Sequence, residues 1–139
     1  MVIQQLDLSL GEAESLITKA ARGAGYPWGL AAEAGAAARC LIASGSVEAE
    51  AAFAEFLEAA AGAMPDAAHC PIRLGLLRAD GGEQDIKSTD WPLIEAAFSA
   101  RPATAARCTI SVDIYARLDA LAARTYAPAT EESRARGAG

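Results

Sequence analysis

Alanine supplies about a quarter of the 139 residues, and that choice narrows the fold more than any single motif does. Alanine gives up no side-chain entropy in a helix, so long alanine-rich stretches lean helical. It also lets helices approach closely while burying little area per residue. The core must therefore rest on Leu, Ile, Val and a few aromatics, with part of it completed by a partner chain. With 53% apolar and 22% charged residues, the composition is globular, neither disordered nor fibrous. The length fits one domain with a working core.

Punctuation divides the chain into elements. Val2 to Leu8 alternates apolar and polar residues, as an edge strand would. Ser9-Leu10-Gly11-Glu12 has the form of a capping box, in which the Ser9 and Glu12 side chains satisfy each other's backbone amides. Ala13, Leu16, Ile17, Ala20 and Ala21 follow at helical spacing, and Gly23-Ala24-Gly25 offers the helix a left-handed end. Pro27 suits the first position of a second helix, which runs through Trp28, Leu30, Ala31, Ala34, Ala38, Leu41 and Ile42 to Gly45. Ser46 caps a third helix, with Glu48 near its positive end. Its apolar face holds Ala52, Phe53, Phe56, Leu57 and Ala60, and Gly62 and Pro65 end it.

The second half changes character. Pro71 to Leu77 is a compact apolar run that reads as a buried strand, and Asp80-Gly81-Gly82 as a turn. Asp90-Trp91-Pro92 reads as the start of a short helix reaching Ala100. Arg107 to Val112 is alternating and β-branched, a second strand, and Tyr115 to Arg124 returns to helical spacing. No repeat or linker divides the chain. The expectation is one domain over 1–139, helical from about 9 to 62, mixed from about 70 to 125, with a polar tail over 126–139. The fold class is α+β: several helices packed on a small sheet. Two strands are too few for a stable sheet alone, which calls for further short strands or a dimer partner.

Charge and cysteines bound the function. A formal net charge of −6 repels phosphate backbones, so no nucleic-acid partner is expected. No signal peptide and no run of about 18 apolar residues is readable, so a cytoplasmic location and no membrane partner are expected. Cys40, Cys70 and Cys108 are odd in number and far apart, which argues against a disulfide framework or thiolate metal site. His69 is the one histidine, beside Cys70. Neighbours on an extended chain point their side chains apart, so this pair reads as an exposed loop histidine and a buried cysteine. No metal and no cofactor are expected.

Arg22-Gly23-Ala24-Gly25-Tyr26-Pro27-Trp28-Gly29 carries the most information. Two readings stand. The amides at the start of the second helix, with Arg22 alongside, can receive an anion. Alternatively the stretch is a rigid helix–helix corner, with Trp28 packed inward and Arg22 bonding the last carbonyls of its own helix. It is no dinucleotide fingerprint, because the glycine spacing is wrong and a helix precedes it. Glu33, early in the second helix, is a general base or a member of an ordinary ion pair. Asp113, at the end of the second strand, is open in the same way. The tail from Arg124, with Tyr126, Ser133, Arg134, Arg136 and its closing glycines, is an anion-binding loop or a frayed end.

Leu8 to Glu14, Lys19 to Gly25 and Trp28 to Gly35 together resemble the opening of a family of uncharacterised bacterial proteins, domain of unknown function 3726. Arg124 to Arg134 and Gly137-Ala138-Gly139 look like that family's closing motif. Members are usually longer between the two motifs and run past the last glycine, so the chain resembles a compact or shortened member. The family brings no established reaction. The resemblance implies that Arg22, Tyr26, Trp28, Glu33, Tyr126, Ser133 and Arg134 meet in one place.

The leading expectation is a small metabolic enzyme, or an accessory subunit of one, that handles an anionic metabolite. Arg22 and Arg134 would bind the anion, Tyr26 and Tyr126 would orient it beside Trp28 and Ser133, and Glu33 would be the catalytic acid or base. The alternatives are a non-catalytic protein-interaction module and a ligand-sensing domain. The expected partners are an anionic small molecule and a second copy or partner subunit. An enzyme would gather these side chains around a concave pocket lined by Trp28. An interaction module would spread them over an exposed patch with apolar neighbours.

Overall fold

The computed structural model describes residues 4–43, 47–66, 70–80, 94, 97 and 107–125. In chain order it holds β1 (Gln5–Ser9), α1 (Leu10–Ala24), α2 (Trp28–Ala43), α3 (Val47–Gly62), α4 (Pro71–Ala79), β2 (Arg107–Ser111) and α5 (Val112–Ala122). A 3-10 turn, Ala123–Thr125, follows α5. The fold is α+β, dominated by helix.

The capping box forms as its sequence predicts. Glu12 N donates to Ser9 Oγ at 3.0 Å, and Ser9 N donates to Glu12 Oε1 at 3.1 Å. The backbone hydrogen bond from Ser9 is the main reason that the Glu12 carboxyl lies below its usual range. At the other end of α1, Gly25 takes φ of 117°, a left-handed conformation that favours glycine. Gly25 N donates to Arg22 O at 3.0 Å and Tyr26 N to Ala21 O at 3.1 Å. This paired closure, with Ala21 and Tyr26 both buried, is a Schellman motif. Pro27 stands one residue ahead of α2 rather than inside it, and its carbonyl accepts from Ala31 N at 3.0 Å.

α1 is the central element, packing on α2, α5 and α3. Small residues set the spacing at two of these contacts. A Cβ at Gly23 would lie 1.8 Å from the Leu121 carbonyl oxygen of α5. A Cβ at Gly35 would lie 2.1 Å from Thr18 Oγ1 and 2.8 Å from the Glu14 carbonyl oxygen of α1. Phe53, Phe56, Leu10, Ile17, Ile42, Leu57, Ile72, Ile94, Ile110 and Leu118 are the largest fully buried aliphatic and aromatic side chains among the described residues, and many alanines are buried with them.

β1 and β2 pair antiparallel, from Gln5 opposite Ser111 to Ser9 opposite Arg107. β1 starts at Gln5 and runs to Ser9, later than the alternation alone indicates. Leu8 and its partner Cys108, with Ile110, turn toward the helices. Asp7 and Arg107 meet on the other face, where Arg107 Nε donates to both carboxylate oxygens at 3.2 and 3.1 Å. Among the described residues the sheet has two strands.

Pro71 to Leu77 corrects the sequence reading: it is helix α4, not a buried strand. A short apolar run has no period that separates the two states. Pro71 opens the helix, where its missing amide costs nothing, and Leu74 N donates to Cys70 O at 3.0 Å. Pro71, Ile72, Leu74 and Gly75 face inward while Arg73 and Leu77 are exposed, a helical pattern. Ile94 and Ala97 are helical and buried, in agreement with the short helix expected there. The Ser46 cap, Gly45, His69, the Gly81-Gly82 turn and the tail from Tyr126 lie outside the described residues.

Candidate functional site: an arginine-capped tryptophan at the helix corner

The Schellman closure of α1 throws Tyr26 and Trp28 to opposite sides of the chain. Tyr26 is 3% exposed, its ring centroid 6.0 Å from that of Phe56 and its hydroxyl 3.4 Å from Cys70 Sγ. Burial, reinforced by the Cys70 contact, holds the phenol well above its usual pKa. Trp28 goes the other way and is 58% exposed.

Arg22 bridges the two. Its Nη1 donates to Tyr26 O at 3.2 Å, and its guanidinium carbon lies 5.4 Å from the Trp28 ring centroid. The first contact fixes the guanidinium at the corner, beyond its own helix. The second is within cation–π range and holds the indole flat against a cation. Met64, 44% exposed, borders the same corner: a Cβ at Gly25 would come within 3.2 Å of its Cε. Of the two readings of this stretch, the rigid corner is what the backbone forms, with Trp28 turned outward rather than packed inward.

Glu33 is exposed on α2, five residues beyond Trp28. Among the described residues no ion pair joins it to Arg22. The structure thus brings Arg22, Tyr26 and Trp28 together, with Tyr26 as the buried support and Arg22 with Trp28 as the accessible face. Tyr126, Ser133 and Arg134 lie outside the described residues. Asp113 is exposed in the first turn of α5.

A second group lies on the opposite side of the fold. Glu50, on α3, is 2% exposed, and its Oε2 accepts from Ser111 N at 3.4 Å. Burial raises its pKa, and the Ser111 amide pulls it partly back. Burial also raises the Cys108 thiol, with Glu50 and Asp7 adding to the effect, so this cysteine is held as a thiol rather than a nucleophilic thiolate. Cys108 lines a shallow open depression of about 360 Å³ with Asp7, Ile42, Ala43, Arg107 and Thr109. The sequence reading passed over Glu50. The signal was present: Glu50, Phe53, Ala54 and Leu57 share one helical face, so a carboxylate sits in the apolar stripe.

Among the described residues no three His, Cys, Asp or Glu side chains are grouped to hold a metal, and no helix is long and apolar enough to cross a membrane. The family model described as "Protein of unknown function (DUF3726)" matches residues 8–109. The chain belongs to this family. The match takes in the whole corner, from the capping box of α1 through α2, so Arg22, Trp28 and Glu33 fall within the DUF3726 region. Residues 124–139 lie beyond it. No curated protein and no solved structure matches the chain.

Proposed function

We propose that this DUF3726 protein is a non-catalytic protein-interaction module that docks a partner chain on the α1–α2 corner and the outward arc of α2. One observation carries the reading. Trp28 is 58% exposed with Arg22 stacked over it, at a corner whose interior side is taken by Tyr26 against Phe56. Exposing a large aromatic forfeits on the order of 2 kcal/mol of burial, a cost that an interface recovers when the ring is covered. Tryptophan and arginine are also the residue types over-represented among the contacts that dominate interface energy. Arg22 is held in place from below by Tyr26 O, so little side-chain freedom remains to be lost on docking.

The enzyme reading asks for a concave site around Trp28 and Glu33. Trp28 projects from the first turn of a helix and Glu33 is exposed, and the depression of about 360 Å³ among the described residues is lined by Asp7, Ile42, Ala43, Arg107, Cys108 and Thr109 instead. The balance therefore favours a surface that binds over a pocket that reacts.

Site-specific photo-crosslinking in the native host tests the module. A benzophenone side chain at Ala32, on the outward arc of α2, should yield a discrete protein adduct, whereas one at the exposed Ser15 of α1 should not. Equal yields at both positions, or none at Ala32, would sink the reading.

A further inference from the structure

The outward arc of α2 is set apart by its exposed indole and by charges of opposite sign at its two edges. α1 shows solvent Glu12, Ser15 and Lys19, α3 shows Glu48, Glu55 and Glu58 with Val47 and Ala59, and α5 shows Val112, Ala116 and Ala120 beside the like-charged Asp113 and Asp119. α2 shows Trp28, Gly29, Ala32, Glu33 and Ala36. At about 100° per residue these five span an arc of roughly 140°, with Ala32, Ala36 and Gly29 along its centre. A Cβ at Gly29 would meet nothing within 4 Å, so the middle of the arc is open as well as smooth. A helix that is apolar on every side belongs in an interior, and α2 has one such side facing out. Small residues at the centre let a second helix approach at backbone distance.

The rims of the arc carry opposite charge. One rim holds Trp28 under the Arg22 guanidinium, with Arg39, itself paired to Glu14 at 2.8 Å, further along the same side. The other rim holds Glu33. This asymmetry selects both the partner and its direction. When two copies of a helix pack face to face antiparallel about a two-fold axis, like rims meet, and Glu33 would face Glu33. When they pack parallel, opposite rims meet.

Resting on the interaction-module reading, we infer that the partner is a second copy of this chain, with α2 packed parallel on α2 and Glu33 of each copy facing Arg22 of the other. The interface is self-complementary: small residues at its centre, an indole at one rim covered by the neighbouring helix, and two symmetry-related ion pairs beside it. The net charge of −6 opposes pairing at long range, and the two Arg22–Glu33 contacts offset that repulsion locally.

Sedimentation equilibrium over a concentration series, on the full chain, tests this. The wild type should double in mass as concentration rises. Ala32→Glu puts a charge at the centre of the arc, on a residue exposed in the monomer, and should leave a folded monomer by circular dichroism. Glu33→Arg should raise the dissociation constant by at least about tenfold, and Arg22→Glu combined with Glu33→Arg should restore most of it. A wild type that stays monomeric overturns the homodimer. A heterologous adduct at Ala32 would then leave the module reading standing, and its absence would remove both. A dimer indifferent to Ala32→Glu places self-association on another face and overturns the inference. A dimer broken by Ala32→Glu but not rescued by the charge exchange overturns the parallel arrangement.

Discussion

The Tyr26 hydroxyl lies 3.4 Å from Cys70 Sγ, so a contact between residues far apart in the chain ties the α1–α2 corner to the head of α4. That tie holds the corner from beneath while Trp28 projects from it. Tyr26→Phe removes the hydroxyl and keeps the ring on Phe56. It should cost about 1 kcal/mol, the net worth of a typical hydrogen bond. Tyr26→Ala also empties the aromatic site and should cost about 3–5 kcal/mol. Urea unfolding of both variants measures the ratio. If the two cost the same, the hydroxyl–thiol contact dominates and the ring packing is slack.

Gly23 and Gly29 should respond to alanine with opposite signs. At Gly23 the new methyl would sit 1.8 Å from the Leu121 carbonyl oxygen, and backbone cannot rotate aside, so α1 and α5 must separate. Overpacking of this kind costs about 1–3 kcal/mol or more. At Gly29 the methyl meets nothing within 4 Å, and the better helix propensity should add up to about 1 kcal/mol. Thermal unfolding of the two variants side by side decides it. A tolerated Gly23→Ala would show that α1 and α5 can move apart at their crossing at little cost.

The elements legible in the sequence are those with local chemistry behind them. Ser9 and Glu12 announce their reciprocal cap, and Gly25 announces the end of α1, because each is decided within one helical turn. The apolar run from Pro71 reads as strand or helix alike, because burial, which both produce, is its only signal. The corner was legible as a corner, yet the direction of Trp28 was not: whether an indole turns in or out depends on what the core already holds. Tyr26 and Phe56 fill that space. The close approach of Gly35 to Thr18 is a tertiary fact with no local signature.

Ser9 ends β1 and caps α1, so its hydroxyl serves the junction between sheet and helix. Ser9→Ala deletes the acceptor for Glu12 N and should cost about 1 kcal/mol. Ser9→Asp keeps an acceptor at the positive end of the helix and should recover most of the loss. Equal destabilisation by both would mean that the hydroxyl's role is packing against the strand end rather than capping.

Glu50 should make the protein less stable as pH rises through the acidic range. Its folded-state pKa is raised above the ordinary value near 4.5, chiefly by burial, so the fold binds the Glu50 proton more tightly than the unfolded chain does. Below the unfolded value the carboxyl is neutral in both states and exacts no penalty. As pH climbs from there toward the raised folded value, the unfolded chain releases the proton first, and stability falls. Glu50→Gln keeps an oxygen to accept from Ser111 N and removes the titration. The other carboxylates titrate in both proteins and cancel in the difference. The variant's melting temperature minus the wild type's should therefore grow as pH is raised from below the ordinary carboxyl value toward neutrality. A difference that shrinks over that range would mean that the native fold stabilises the Glu50 carboxylate, and that the Ser111 amide outweighs the cost of burial.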